Sequence, residues 1–282
     1  MAGTSPAVTP SDQRSLTVTA DDFGLAREVN DAVEIAHRDG VLTSASLMVA
    51  EPWAADAVER ARRLPRLRVG LHLTLVEGRA VLPSDRIPDL IGPKGRLRVD
   101  LARYGASIFF RPAVKRQIEA EIRAQFEAFR ATGLVLDHVN AHKHYHLHPT
   151  IAGLLLRIGG EFGMTRLRVP VEPADILAAV EPVRIGLEAR LAAPYAKLLR
   201  ARARRDGVEV ADQVFGLAWS GAMTPDRVLG LLRELPPGKS EIYAHPATDR
   251  EFDGAAPGYM YEQELAALTS GEVRRAASDR TR

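Results

Sequence analysis

Cysteine is absent from the 282 residues, which excludes disulfide staples and thiolate metal ligands and leaves the redox compartment open. No apolar run reaches the ~18 residues expected of a membrane-spanning helix. A charge excess is missing too. The 38 Lys and Arg against 36 Asp and Glu leave a formal charge of +2, which argues against a nucleic-acid partner. No Gly-x-Gly-x-x-Gly follows the first strand candidate, so a dinucleotide site has no support. Residues 1–14 carry Ser, Thr, Pro and Asp without an apolar centre and do not read as a signal peptide. The expected setting is cytoplasmic.

What the chain has in quantity is histidine in one place. Five of its eight histidines (His138, His142, His144, His146 and His148) fall within residues 138–148. In extended backbone the last four project to one face, and in a helix His142 and His146 still align one turn apart. Neutral imidazole is the commonest metal ligand and a ready acid–base group, whereas crowded imidazolium repels itself. The cluster therefore fits best around a cation or a reacting group. Two further features accompany it. The β-prone run from Leu16 ends in Asp21-Asp22-Phe23-Gly24, and His72 is embedded in the apolar run Leu67–Thr74. Taken alone, the two aspartates also suit a strand-end turn and helix cap, and a single buried His also suits a hydrogen-bonded core residue. With the cluster, Asp and His donors arriving from separate strand ends are what a mononuclear metal site requires.

Periodicity predicts alternating strands and helices. Strands are expected at Leu16–Ala20, Ser44–Val49, Val69–Thr74, Leu134–Asn140, Arg166–Val169, Gln213–Phe215 and Glu241–Ala244. Helices are expected at Arg27–Asp39, stopped by a left-handed Gly40, then from Pro52 to Arg63, and over Ala113–Arg130, Thr150–Phe162, Pro182–Arg205, Thr224–Leu232 and Tyr261–Leu268. The alternation implies an α/β fold with a parallel sheet, an irregular (β/α) barrel that is TIM-barrel-like with about seven strands; a doubly wound open sheet is the alternative. One domain is expected over residues 15–268, with flexible termini at 1–14 and 269–282. In a barrel, functional residues sit at the C-terminal strand ends. Asp21, Asp22, His72, His142, Arg168 and His245 all fall there, from five different strands. Residues 75–112 read as a long rim loop or lid. The stretch 182–205 reads as an outer helix whose basic face is solvated or rests on a membrane surface.

The motifs Thr19–Gly24, Gly70–Leu73, His142–His146 and Ala244–Ala247 together resemble the YdjC-like carbohydrate deacetylases of the chitooligosaccharide type, in order and spacing over nearly the whole chain. The runs His138–His144 and Phe215–Thr224, with Pro257-Gly258-Tyr259, are similar to the branch of that family associated with hopanoid biosynthesis. The resemblance implies a glycoside hydrolase/deacetylase type of barrel and one divalent metal ion, Zn²⁺ or Mg²⁺, held by Asp22, His72 and His142. It implies Asp21 as catalytic base, His245 as general acid, and Arg168 as the arginine that orients the base. His144 and His146 become second-sphere or substrate contacts, while His138 and His148 receive no role.

The function so implied is removal of acetyl from an N-acetylglucosamine unit on a hopanoid-linked glycolipid, releasing acetate and the free amine, with soluble chitooligosaccharides as the alternative substrate. Expected partners are an N-acetylhexosamine-containing small molecule or glycolipid, a peripheral contact with the inner membrane, and a second copy in a homodimer. Competing functions are a glycoside hydrolase, a phosphoesterase and a non-catalytic metal- or lipid-binding protein. Strand alternation would point Asp21 and Asp22 apart, which does not suit two carboxylates flanking a glycosidic bond.

Overall fold

Alternation along the strands also decides what fills the middle of this molecule. The computed structural model describes residues 14–183 and 186–280. The expected N-terminal tail therefore lies outside the described residues but for Arg14, as do Arg184 and Ile185 of the basic stretch and the last two residues of the C-terminal tail.

In chain order the elements are β1 (Arg14–Phe23), α1 (Arg27–Asp39), β2 (Ser44–Leu47), α2 (Ala54–Arg63), β3 (Arg68–Leu73), α3 (Leu101–Phe110), α4 (Pro112–Ala131), β4 (Val139–Ala141), α5 (Pro149–Glu161), α6 (Ala174–Val180), α7 (Leu187–Arg205), β5 (Gln213–Phe215), α8 (Pro225–Glu234), β6 (Gly238–Ala244), α9 (Tyr261–Thr269) and α10 (Gly271–Arg280). The strands form one parallel sheet in the order β4-β3-β2-β1-β6-β5. Crossover helices follow from that parallel order, since parallel neighbours cannot be joined by tight turns. The stripe anticipated on α4 is the buried one: Val114, Ile118, Ile122, Phe126 and Phe129 face the core. No helix of the described residues is long and apolar enough to cross a membrane.

Among the described residues six strands are present where seven were expected. The segment Arg166–Val169 makes only isolated bridges, Leu167 with Val139 on one side and Arg166 with Glu209 on the other. Pro170, which follows it, has no N–H to extend a ladder. The segment still ties the two edges of the sheet together. Arg168 N–H donates to Val139 O at 2.9 Å, Leu167 N–H to Glu209 O at 2.9 Å, and Val214 N–H to Val171 O at 3.0 Å.

Helix boundaries depart from expectation in four places. The basic stretch forms a helix from Leu187 rather than Pro182, with a separate short helix, α6, before it. The supposed loop of residues 75–112 contains α3, whose Ile108 is buried while Phe109 and Phe110 are exposed. The C-terminal stretch is not frayed over 271–280: α10 packs on α8 and α9, with Val273 buried. Finally, Gly40 closes α1 with φ −125°, not left-handed. Its need is space, because a Cβ there would sit 2.2 Å from Leu268 O.

The two faces of the sheet differ in kind. Val18, Ala20, Ala45, Leu47, Val69, Leu71, Val139, Leu167 and Ile242 belong to the hydrophobic core under the helices. The alternate residues Thr19, Asp21, Ser46, His72, Asn140 and Glu241 are also buried, yet they hydrogen-bond to one another. The interior that the strands share is thus a polar network, where a barrel of this kind usually stacks Val, Ile and Leu.

Candidate active site

Backbone strain at the end of β1 brings both aspartates to the same place. Asp22 has φ 62°, and the pairing of β1 with β2 shifts register between Ala20 and Phe23. Regular alternation is broken there, so the two carboxylates do not simply point apart. Asp22 Oδ1 lies 3.2 Å from His72 Nε2 and 3.0 Å from His142 Nδ1. The two imidazole nitrogens are 3.4 Å from each other. Among the described residues, this is the one group of three His, Asp or Glu side chains whose ligand atoms gather within 4.8 Å.

Asp21 faces a different environment. Its Oδ1 accepts from Asn140 Nδ2 at 2.9 Å, and its Oδ2 accepts from Arg168 Nη1. Burial alone would raise the carboxyl, but Arg168 first, then His72 and His245, holds it far below the usual range. Arg168 is itself buried, and Glu241 Oε1 accepts from its Nε and Nη2 at 2.9 and 2.8 Å. Its guanidinium stands 4.5 Å over the Tyr243 ring. Two carboxylates therefore share one cation, and Asp21 carries less of that charge than it would in a private pair.

The remaining histidines divide by contact. His144 Nε2 meets Tyr243 OH at 2.8 Å, while its Nδ1 is buried without a partner. Lys143 and His144 both hold left-handed backbone, at φ 54° and 50°, so the tight turn after β4 is strained where it presents them. His146 is completely buried and donates Nε2–H to the Arg168 carbonyl at 2.9 Å. His148 caps α5: its Nδ1 accepts from Thr150 N–H at 3.3 Å and its Nε2 donates to Gly105 O at 3.1 Å. His138 sits behind β4 and β2, 3.0 Å from Ser46 Oγ. At the end of β6, His245 Nδ1 is also buried without a hydrogen-bond partner, 4.0 Å from Glu264 Oε2, with the Tyr259 ring 5.1 Å away.

Burial, reinforced by the positive charge of Arg168 and His72, pushes His146 from 6.5 down to about 4. The unfolded chain then binds a proton that the folded chain refuses between those two values. Stability is therefore full above about pH 6.5 and falls as the pH drops toward 4. His144 is displaced in the same direction by burial and by His146. Urea unfolding from pH 7 to pH 4.5 should show this loss, and His146→Gln should lower the slope by about one proton's worth. An unaltered slope in that variant would assign the acid sensitivity elsewhere.

Several members of the site escaped the motifs. Glu241 and Tyr243 stand at i and i+2 along β6, in line with the expected His245 at i+4, and Asn140 stands two residues before His142. That spacing puts each set on one strand face. The signal was legible, but Asn, Tyr and a lone Glu are too common in strands to stand out without the fold.

The site thus lies at the C-terminal ends of parallel strands, with a ready-made donor set for a single cation. These features define a (β/α) protein with a candidate mononuclear metal centre beside an arginine-held carboxylate. The chain belongs to the YdjC-like protein family, whose model matches residues 15–279. Proteins named carbohydrate deacetylase are among its relatives. The one from Brevibacillus brevis is 41% identical over 156 residues, covering 55% of this chain and 58% of that protein. The one from Oceanobacillus iheyensis is 36% identical over 57% of this chain and 65% of its own length. The matched stretch thus spans less than two thirds of either relative. The one from Geobacillus stearothermophilus is 29% identical over 259 residues, covering 91% of this chain and 89% of its own. Among solved structures, a putative cellobiose-phosphate cleavage protein from Enterococcus faecalis superposes with a TM-score of 0.72 at 26% identity, covering 96% of each chain.

Proposed function

We propose that the protein hydrolyses the N-acetyl group of an N-acetylglucosamine unit, releasing acetate and the free amine, with one divalent ion held by Asp22, His72 and His142. The observation that carries this reading is the convergence of that triad beside an Asp21 kept ionised by Arg168. The donor set fits such an ion. Two imidazoles and one carboxylate are a common catalytic set with coordination positions left for water and substrate. His72 donates Nδ1–H to Asn140 Oδ1 at 2.7 Å, which leaves the Nε2 lone pair facing Asp22 and His142. The set suits Zn²⁺ on ligand preference, and Mg²⁺ is the other ion the family resemblance implies.

When bound, the ion supplies Lewis acidity, which polarises a carbonyl and brings the pKa of water toward neutrality. Asp21 accepts the proton of the attacking water, and Arg168 and Asn140 hold its two oxygens in a fixed orientation. His245 donates a proton to the departing nitrogen, since an amine is a poor leaving group until protonated. We assign His144, next to Tyr243, to substrate contact, and His146 to holding the Arg168 main chain from behind.

The finer substrate we propose is N-acetylglucosamine on a hopanoid glycolipid, reached at the membrane surface. Its support is the resemblance of the late motifs together with two exposed apolar features. Phe109 and Phe110 end α3, and the start of that helix receives Tyr145 OH from the histidine loop at Leu101 O, 2.9 Å away. On α7, Leu191, Tyr195 and Leu198 are exposed at helical spacing among Arg190, Lys197 and Arg202. Basic side chains near an anionic bilayer contribute about 1 kcal/mol each.

Acetate release from a lipid-linked N-acetylglucosamine, compared with chitobiose, tests both levels. The expected result is turnover of both, with preference for the lipid and sedimentation with anionic vesicles at low salt. Equal turnover without vesicle binding would leave a deacetylase of soluble chitooligosaccharides. No acetate from either substrate, with metal bound, would overturn the deacetylase reading.

A further inference from the structure

Asn140 touches both halves of the site, and nothing in the proposed chemistry explains what holds Asn140 itself. Its amide must face one way. With Oδ1 toward His72 and Nδ2 toward Asp21, it accepts from one and donates to the other, at 2.7 and 2.9 Å. Rotated by half a turn, Oδ1 would confront the Asp21 carboxylate. Nδ2 would then face His72 Nδ1 and demand the opposite tautomer, with a proton on the nitrogen that faces Asp22. Asp21 favours the first of these orientations, because a carboxylate only accepts.

A second restraint comes from the opposite side. The other Nδ2 hydrogen of Asn140 donates to Ser46 Oγ at 2.9 Å. Ser46 in turn lies 3.0 Å from His138 Nε2, and His138 Nδ1 lies 3.0 Å from Asp137 Oδ2. Asp137 is paired with Arg166 Nη1 at 3.1 Å and lines a cavity of about 180 Å³ together with Arg68, Arg168 and Glu241. Starting from that carboxylate, every donor is assigned in turn: His138 Nδ1–H to Asp137, Ser46 O–H to His138 Nε2, Asn140 N–H to Ser46, His72 Nδ1–H to Asn140. The backbone makes room for this arrangement. A Cβ at Gly70 would lie 2.5 Å from His138 Cε1 and Nδ1, so the imidazole is seated directly on that glycine.

We propose that Asp137, His138 and Ser46 form a one-way hydrogen-bond relay that fixes the Asn140 amide, and through it the His72 tautomer and the hydrogen bond to Asp21. These are positioning residues; none touches the reacting atoms. The inference rests on the triad-and-base reading of the site for its purpose, but its physical content is independent of metal and of activity. Outer-sphere partners of metal-binding histidines typically contribute about 10–100-fold in affinity or activity.

The test uses the full chain with ¹⁵N-labelled histidine, at a pH where the His72 ring has lost its second proton. Wild type should show the Nδ1–H tautomer at His72. Ser46→Ala, which removes one oxygen, and His138→Phe, which removes the acceptor, should each give a mixture of tautomers. Each should also bind Zn²⁺ about 10–100-fold more weakly in a chelator competition and lose kcat with KM little changed. His138→Gln keeps an acceptor for Ser46 and should restore tautomer and affinity, which a merely structural role would not require. An unchanged His72 tautomer and Zn²⁺ affinity in folded Ser46→Ala and His138→Phe would overturn the relay while leaving the deacetylase reading untouched. The predicted tautomer shifts in a chain that takes up no metal would do the reverse.

Discussion

Asp21→Asn should lose about 10²–10⁴-fold in kcat while retaining its metal, because the amide cannot accept the proton that the carboxylate takes. The variant isolates charge from shape. Asn Oδ1 can still accept from Arg168, and Glu241 continues to neutralise the guanidinium through two of its nitrogens. Loss of one member of a buried ion pair usually costs about 3–5 kcal/mol, and the Glu241 contact should keep the observed cost at the lower end or below it. Parallel measurement of kcat, metal content and urea midpoint separates these effects. Metal stripped from Asp21→Asn would exchange the roles of the two aspartates, and wild-type turnover would remove Asp21 from the chemistry altogether.

The largest effect on the ion itself is expected from the triad. Asp22→Ala, His72→Ala and His142→Ala should each reduce bound metal from about one ion per chain to near none, with acetate release falling to background. The fold should survive each change, since removal relieves the crowding of two imidazoles around one carboxylate oxygen. Asp22 is held far below its ordinary range against the effect of burial, chiefly by His142 and His72, so the cradle already favours one positive charge. Metal analysis after dialysis, together with thermal unfolding, checks both parts. Stoichiometric metal in all three variants would refute the assignment.

Much of the site could be read from the chain because strands impose a period of two and helices one near 3.6. The ends of β1, β3, β4 and β6, and the carbonyl edge at Arg168, were all indicated by where polar residues interrupt apolar runs. The left-handed Asp22 was not visible. Nothing in Asp-Asp-Phe-Gly distinguishes a regular strand end from one whose second residue turns back, and that turn carries Asp22 onto His72 and His142 while Asp21 faces Arg168. The broken strand at Arg166–Val169 looked regular because its residues favour β structure; it stops at isolated bridges, and Pro170 has no N–H to extend them. α3 was hidden because Pro83, Pro88 and Pro93 give residues 75–112 the composition of a loop, although its last third has none until Pro112. The structural roles of His138 and His148 were equally out of reach, since a histidine that serves Ser46 or caps a helix carries the same letter as one that holds a cation.

The polar interior of the sheet has a consequence for how this chain can change over generations. Thr19, Asp21, Ser46, His72, Asn140, Arg168 and Glu241 each satisfy at least one other, so replacing one strands its neighbour's hydrogen bond inside the protein. Such substitutions are strongly non-additive, and two or three must change together before the loss is recovered. The outer helices and rim segments carry no such debt. New specificity should therefore accumulate on the rim around Phe109 and α7, while the interior is inherited as a block.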